Sequence, residues 1–283
     1  MAELAFRPNI TPQAALRSFD LRKANAIKTF HWTDLWQHEH ADSFTVAKSA
    51  GFDIVDDIAS SLHDAFAGGE TEAGWRDKIM PILQDKGWVG RKAVLDPDTG
   101  ELVNAELATP RRLNIIYDTN MRTSYAAGRW VQMEQNVADQ PYGLYLHGAS
   151  RVPRPEHLAR DHTCLPLDDA FWNYWAPPNG WGCSCSMISI SQRQFDRMNG
   201  AGVLKTKAPA LEFFDWINPR TGETVKTPKG IDPGFAYNPG KALLASLKGP
   251  ALASRRVADD VRYRIALDYL RHTGAHRCRV CGG

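Results

Sequence analysis

The chain has 283 residues, with 34 Lys and Arg against 32 Asp and Glu, a net charge of +2, and 43% hydrophobic residues that include nine Trp. That charge balance excludes a role as a global polyelectrolyte, and the apolar content supplies a core for one large domain or two smaller ones. No stretch approaches a membrane span and no apolar leader opens the chain, so the five cysteines are expected in a reducing cytoplasm, as thiols or metal ligands rather than disulfides.

After an irregular lead, Thr11-Pro12 reads as an N-cap and first-turn proline of a helix through about Ile27. Trp32 to Ala50 is a second helical candidate. Asp53 to Phe66 is a third, with Ile54, Ile58, Leu62 and Phe66 four apart and Gly68-Gly69 as the break. Glu72 to Asp85 presents Trp75, Ile79, Ile82 and Leu83 on one face, with Pro81 expected to kink it. Val94-Leu95 and Leu102-Val103 flank a Pro-Asp-Thr-Gly turn and read as a hairpin. Thr109-Pro110 opens the longest helix, to about Val137, with Leu113, Ile116, Tyr117, Met121, Tyr125 and Met133 at helical spacing. Strands are expected at Gly143–His147 and Met187–Ile190, then a helix capped by Ser191. A hairpin follows around Pro219-Arg220-Thr221-Gly222. Residues 226–240, with their prolines and glycines, are expected to form an extended linker to a separable tail, and the chain from Lys241 to Arg271 can form a helix. The predicted class is α+β: a mainly helical region 1–108, a compact helix and short-strand core 109–198 with an irregular Cys/His-rich loop, a hairpin and extended segment 199–240, and a basic tail 241–283.

The segment from Arg154 to Ser191 concentrates the chemistry. It holds His157, Asp161, His162, Cys164, Asp168 and Asp169, and it ends in Pro177-Pro178-Asn179-Gly180-Trp181-Gly182-Cys183-Ser184-Cys185. Sulfur, imidazole and carboxylate in one short stretch suit a divalent metal, zinc above all, held by His157, Asp161, Cys183 and Cys185, with His162 and Cys164 as spares. Two other readings stand beside it. One is metal-free, with buried thiols next to a hydrogen-bonded histidine under Trp172, Trp175 and Trp181. The other is catalytic, although no nucleophile and base can be paired. Asp168-Asp169 reads as an acid/base pair or as a capping turn. The three tryptophans read as a binding platform or as core.

Arg122 and Arg129, seven apart, share a face of the long helix and either meet DNA or an acidic partner or simply face solvent. Residues 251–283 carry seven Arg, three Asp and no Lys or Glu. Arg255, Arg256, Arg262 and Arg264 are the candidate nucleic-acid or partner contacts there. His272, His276, Cys278 and Cys281 form either a terminal zinc site or a frayed end.

Arg154, His157, Asp161, Asp168, Asp169, Phe171-Trp172, Pro177-Pro178 and Cys183-x-Cys185 together resemble the phage minor head proteins typified by protein F of bacteriophage Mu. Tyr117 to Arg129 is similar to that family's helix, and Gly230-Ile231-Asp232-Pro233-Gly234 through Gly240 to its closing segment. His162 stands where the family commonly has glycine, and Ser184 where it commonly has arginine. The resemblance implies a minor capsid protein of a Mu-like phage. Such a protein would act in head morphogenesis beside the portal, inside the capsid after assembly in the host cytoplasm. Its implied partners are the portal protein and the major capsid or scaffold protein, with no membrane and no enzymatic role, while the charge of the basic tail suggests packaged double-stranded DNA as a further partner. The rival reading is a metal-dependent hydrolase, a nuclease or cell-wall enzyme carried in the virion. An effector delivered with the genome is a third, for which the chain after Gly240 is short.

Overall fold

The computed structural model describes residues 13–248. Helix α1 (Gln13–Lys23) leads into β1 (Ala26–Lys28), which pairs in parallel with β2 (Phe44–Val46). Helices α2 (Val55–Gly68) and α3 (Glu72–Asp85) follow, then the hairpin β3 (Arg91–Leu95) and β4 (Leu102–Glu106). The 26-residue α4 (Pro110–Gln135) begins with Thr109 as N-cap and proline in its first turn, as its sequence predicts. Strand β5 (Tyr142–Leu146) is the centre of a three-stranded antiparallel sheet. Its neighbours are β6 (Cys164–Pro166) and β7 (Ser186–Ile190). The one-turn helices α5 (Pro155–Ala159) and α6 (Trp172–Trp175) lie in the irregular loops between those strands. A capping box at Ser191 and Gln194 starts α7 (Gln192–Gly200). The hairpin β8 (Phe213–Ile217) and β9 (Thr224–Pro228) and the helix α8 (Pro239–Lys248) complete the α+β architecture.

Two apolar clusters make the core, and α4 runs through both. Its first half gives Leu113, Ile116 and Met121 to a cluster with Phe19, Ile58, Leu62, Phe66, Trp75 and Trp88. Its second half gives Ala127, Trp130, Val131 and Met133 to a cluster with Tyr145, Trp172, Trp175, Met187 and Leu243. At about 1.5 Å per residue, α4 is long enough to serve as a spine of about 39 Å. Its register against α1 depends on Gly128, where a Cβ would overlap the backbone of Ala14 and Ala15. Five tryptophans, Trp75, Trp88, Trp130, Trp172 and Trp175, are fully buried. Each buries roughly 150–250 Å², and at about 25 cal/mol per Å² that is several kcal/mol of gross stabilisation apiece.

Three sequence expectations are corrected. The helix proposed for Trp32 to Ala50 is instead a run of turns with one 3-10 turn (Gln37–Ala41) and β2. Asp34 Oδ2 accepts from the backbone N–H groups of Phe30 and His31 at 2.9 and 2.8 Å, which satisfies donors locally and competes with a helix. Gln37 and Lys48 adopt positive φ of 42° and 61°, which ends any helical run. The first helix stops at Lys23, and the Ala26–Lys28 stretch beyond it is drawn into the parallel pairing. The Pro/Gly-rich stretch 226–240 is not a free linker: Ile231, Phe235 and Ala236 are buried, and α8 lays Leu243, Leu244 and Leu247 into the second cluster. Residues from 249 onward, including Arg255, Arg256, Arg262, Arg264 and the His272–Cys281 group, lie outside the described residues, as does Thr11-Pro12. No helix among the described residues is long and apolar enough to cross a membrane.

Candidate functional site

Proline at the first position of α5 directs the chain from Arg154 into a single turn that buries His157. The loop through Asn179 and Gly180 then delivers Cys183 and Cys185 to the start of β7, with Gly182 at φ 65° making the bend. These three side chains converge. The Sγ atoms of Cys183 and Cys185 each lie 3.6 Å from His157 Nδ1. The three donor atoms all fall within 4.8 Å of one another. Zinc–sulfur and zinc–nitrogen bonds of about 2.3 and 2.0–2.1 Å at a tetrahedral angle place sulfur and nitrogen about 3.5 Å apart, so the observed spacing fits that ion.

The ring is oriented from behind. His157 Nε2 is 2.8 Å from the Gly230 carbonyl. Donation from that nitrogen leaves Nδ1 of a neutral ring as a lone pair facing both sulfurs, the outer hydrogen bond characteristic of metal-binding histidines. The edge of Trp175 packs against the ring at 5.7 Å between centroids, and Arg160 stacks over Trp175 at 3.6 Å. The hydrogen bond between the two sulfurs, above all, pulls the Cys185 thiol well down. The same bond, with burial, pushes Cys183 well up. The pair thus favours sharing one proton, and a thiolate is the form that binds metal. Burial, chiefly, also drives the Tyr145 hydroxyl far above its ordinary range, with the neighbouring cysteines adding to it.

Asp161 is not brought into this group. Its Oδ1 accepts from the His147 backbone N–H at 2.8 Å and its Oδ2 pairs with His162 Nδ1 at 3.0 Å, so it ties the end of β5 to the turn before β6. His162 adopts φ 61°, a left-handed conformation that explains why a glycine suits that position. Cys164 is buried on β6 beside Leu144 and Ile190, away from the other sulfurs. Asp169 Oδ1 accepts from the Phe171 N–H at 2.8 Å, which is the capping reading of the acidic pair. Trp172 and Trp175 are core. Trp181 is 41% exposed and joins an aromatic group with Trp32 and Phe235 instead.

Sequence reasoning missed how the loop is locked. Arg154 donates to Asp232 Oδ2 at 3.1 Å and to the Trp181 carbonyl at 2.9 Å. Asp232 Oδ2 also accepts from the Trp181 N–H at 2.8 Å. Gly180 sits inside this clasp, and a Cβ there would overlap both the guanidinium and the carboxylate. The signal was present in the sequence as Arg154 and as Gly230-x-Asp232, but nothing in it joined two motifs 78 residues apart. Arg122 pairs with Asp118 at 2.9 Å, and Arg129 donates to the Met187 carbonyl at 3.2 Å. Both line a groove of about 570 Å³ along α4, whose far wall includes Cys185 and Met187.

The family model described as "Phage Mu protein F like protein" matches residues 56–188, which takes in His157, Cys183 and Cys185. The chain is 32% identical over 256 residues to "Putative capsid assembly protein F" of Escherichia phage Mu, covering 85% of this chain and 56% of that protein. It is 31% identical over 229 residues to "Mu-like prophage FluMu F protein" of Haemophilus influenzae, covering 76% of this chain and 53% of that protein. The chain therefore spans about half the length of the curated relatives it matches. No solved structure matches it. On the shared Arg154–Cys185 pattern, the family match and these two relatives, the chain belongs to the phage Mu protein F-like family.

Proposed function

We propose that the chain is a minor capsid protein of a Mu-like tailed phage that works in head morphogenesis as a binding and assembly component, not as an enzyme. The observation that carries this reading is the 32% identity, over 85% of the chain, to a relative named for capsid assembly. The groove along α4 is the docking surface. Its apolar floor, with Met121 and Tyr125, and its two guanidinium groups, Arg122 and Arg129, suit a mixed apolar and acidic segment of the portal protein or of the major capsid or scaffold protein. The basic tail, with Arg255, Arg256, Arg262 and Arg264, contacts packaged double-stranded DNA by charge, in the capsid interior.

Zinc is the proposed cofactor, held by His157, Cys183 and Cys185. Once bound it would cross-link α5 to the start of β7 and so stiffen one wall of the groove. These residues would hold the ion; the Gly230 carbonyl and Trp175 orient the imidazole. One observation favours the rival hydrolase reading. Only three donors converge among the described residues, and a zinc site with a free fourth position is the pattern of catalytic centres.

The deciding experiment combines metal analysis with assembly. Cys183→Ser with Cys185→Ser is expected to lose bound zinc, to lose about 2 kcal/mol or more of stability, and to lower particle yield, with no hydrolytic turnover in either protein. Arg122→Glu with Arg129→Glu is expected to keep the zinc and to lose co-purification with the portal protein. A cysteine variant that folds normally and gives full particle yield overturns the structural role. Zinc-dependent cleavage of DNA or cell wall by the parent protein would establish the rival.

A further inference from the structure

Arg22, near the C-terminal end of α1, is a buried cation that forms no ion pair among the described residues, with its guanidinium 5.0 Å from the centroid of the Phe19 ring. It is only 3% exposed. Its Nη1 donates to Asn120 Oδ1 at 3.2 Å, and its Nη2 to the Asn120 carbonyl at 3.3 Å and to Ser124 Oγ at 2.5 Å. All three acceptors are neutral, and Nε has no partner among the described residues. No carboxylate of the described residues comes within ion-pair distance. Burial lowers its pKa only to about 10, so the group stays charged at neutral pH. A buried charge that lacks an opposite charge is strongly unfavourable, and proteins answer it with a partner or a bound ion.

The space for such an ion is present. Arg22 lines a cavity of about 170 Å³ on the face of α4 opposite the docking groove. Arg112 lines the same cavity, its guanidinium stacked on Trp88 and donating to the carbonyls of Glu106 and Ala47. No acidic side chain of the described residues lines it. Trp32, Trp36 and Phe235 form apolar walls, which lower the local dielectric and strengthen attraction to a negative charge. The volume exceeds that of several waters at about 30 Å³ each and accommodates a phosphate or a carboxylate group. His40, also on the cavity, is held down chiefly by burial and then by Arg22, so the guanidinium groups of Arg22 and Arg112 supply the positive charge there.

We propose that this cavity is an oxyanion-binding site in which a phosphate or carboxylate group pairs with Arg22. The tryptophans on its walls provide a direct reporter. The full chain is titrated with inorganic phosphate and, separately, with acetate, at constant ionic strength set by chloride. Tryptophan fluorescence and equilibrium dialysis are read together. The expected result is one saturable site per chain for at least one of the two, and the better ligand identifies the tetrahedral or the planar anion. Arg22→Met is expected to abolish the saturable component, and Arg193→Met, on the exposed face of α7, to leave it unchanged. Arg22→Lys, which keeps the charge but loses the fork of donors, is expected to bind at least tenfold more weakly, and it decides the matter if Arg22→Met does not fold. The proposal is overturned if the parent chain shows no saturable binding, whether the cavity holds only water or an acidic side chain from outside residues 13–248. It is overturned equally if chloride alone reproduces the signal, or if Arg22→Lys binds as the parent does.

Discussion

At the scale of single residues, the site depends on contacts among side chains far apart in the chain. Arg154 and His157 face Asp232 and the Gly230 carbonyl, so one short helix and one irregular segment are held to each other twice. That arrangement gives a physical reason for residues that otherwise look like scattered signatures. Gly180 is small because the clasp closes over it. Gly180→Ala should therefore part Arg154 from Asp232 and cost about 1–3 kcal/mol, the usual penalty for overpacking. Urea unfolding would measure it. Unchanged stability would mean that the loop is ordered by something other than the clasp. The same substitution should loosen His157 and weaken zinc uptake.

At the scale of elements, the crossing of α1 and α4 and the docking of two hairpins set the frame. Gly128→Ala introduces a methyl group against the backbone of α1, which yields less readily than a side chain. It should destabilise by about 2 kcal/mol or more, and a thermal melt that matches the parent would show that the helices slide freely. The hairpin turns meet through Arg220, which donates to Asp96 at 2.7 and 3.0 Å, reaches Asp34 at 3.1 Å, and also pairs with Asp98. Arg220 hydrogen bonds hold the Asp96 carboxyl far below the usual carboxylate range. A carboxyl depressed in the folded state stabilises fully above its unfolded pKa of about 3.9, and loses that contribution as pH falls toward the folded value. Stability should thus drop below about pH 4, and Arg220→Met should be less stable at neutral pH with a flatter profile in that acid range. Parallel profiles for the two proteins would remove the Arg220 contacts from the stability of the fold.

At the scale of the whole molecule, the boundary of the folded body lies further along than composition suggests. Helix α8 buries Leu243, Leu244 and Leu247 against α4. A chain ending at residue 248 should keep its cooperative unfolding transition, and one ending at residue 238 should lose it, because removing those leucines opens the second cluster. Circular dichroism melts of the two truncations test this directly. If the tail contacts DNA, the shorter protein that still folds should enter heads less well, and binding of the full chain to DNA should weaken steeply with salt.

What the sequence determined by itself follows from local rules. The caps at Thr109 and Ser191, the stripes on α2 and α4, and the turn residues of both hairpins are properties of neighbours within a few positions, and they placed those elements correctly. The Cys-x-Cys pair and His157 were legible as a group that would converge because their side-chain chemistry is distinctive wherever they lie. Tertiary structure decided the rest. Asp161 was chosen for its chemistry, but the backbone N–H of His147 and the ring of His162 claim its carboxylate. Trp32 to Ala50 reads as a helix by composition, yet Asp34 ties up the backbone N–H groups of Phe30 and His31, and Trp36 stacks on Trp216 from a distant hairpin with Trp32 tilted beside it. The Pro/Gly-rich stretch reads as a linker, yet Asp232 and Phe235 have partners only because Arg154 and Trp181 arrive from elsewhere. Local propensity is a matter of a few tenths of a kcal/mol per residue, whereas burying an aromatic ring or pairing a half-buried charge involves several times more, so where the two conflict the distant partner decides.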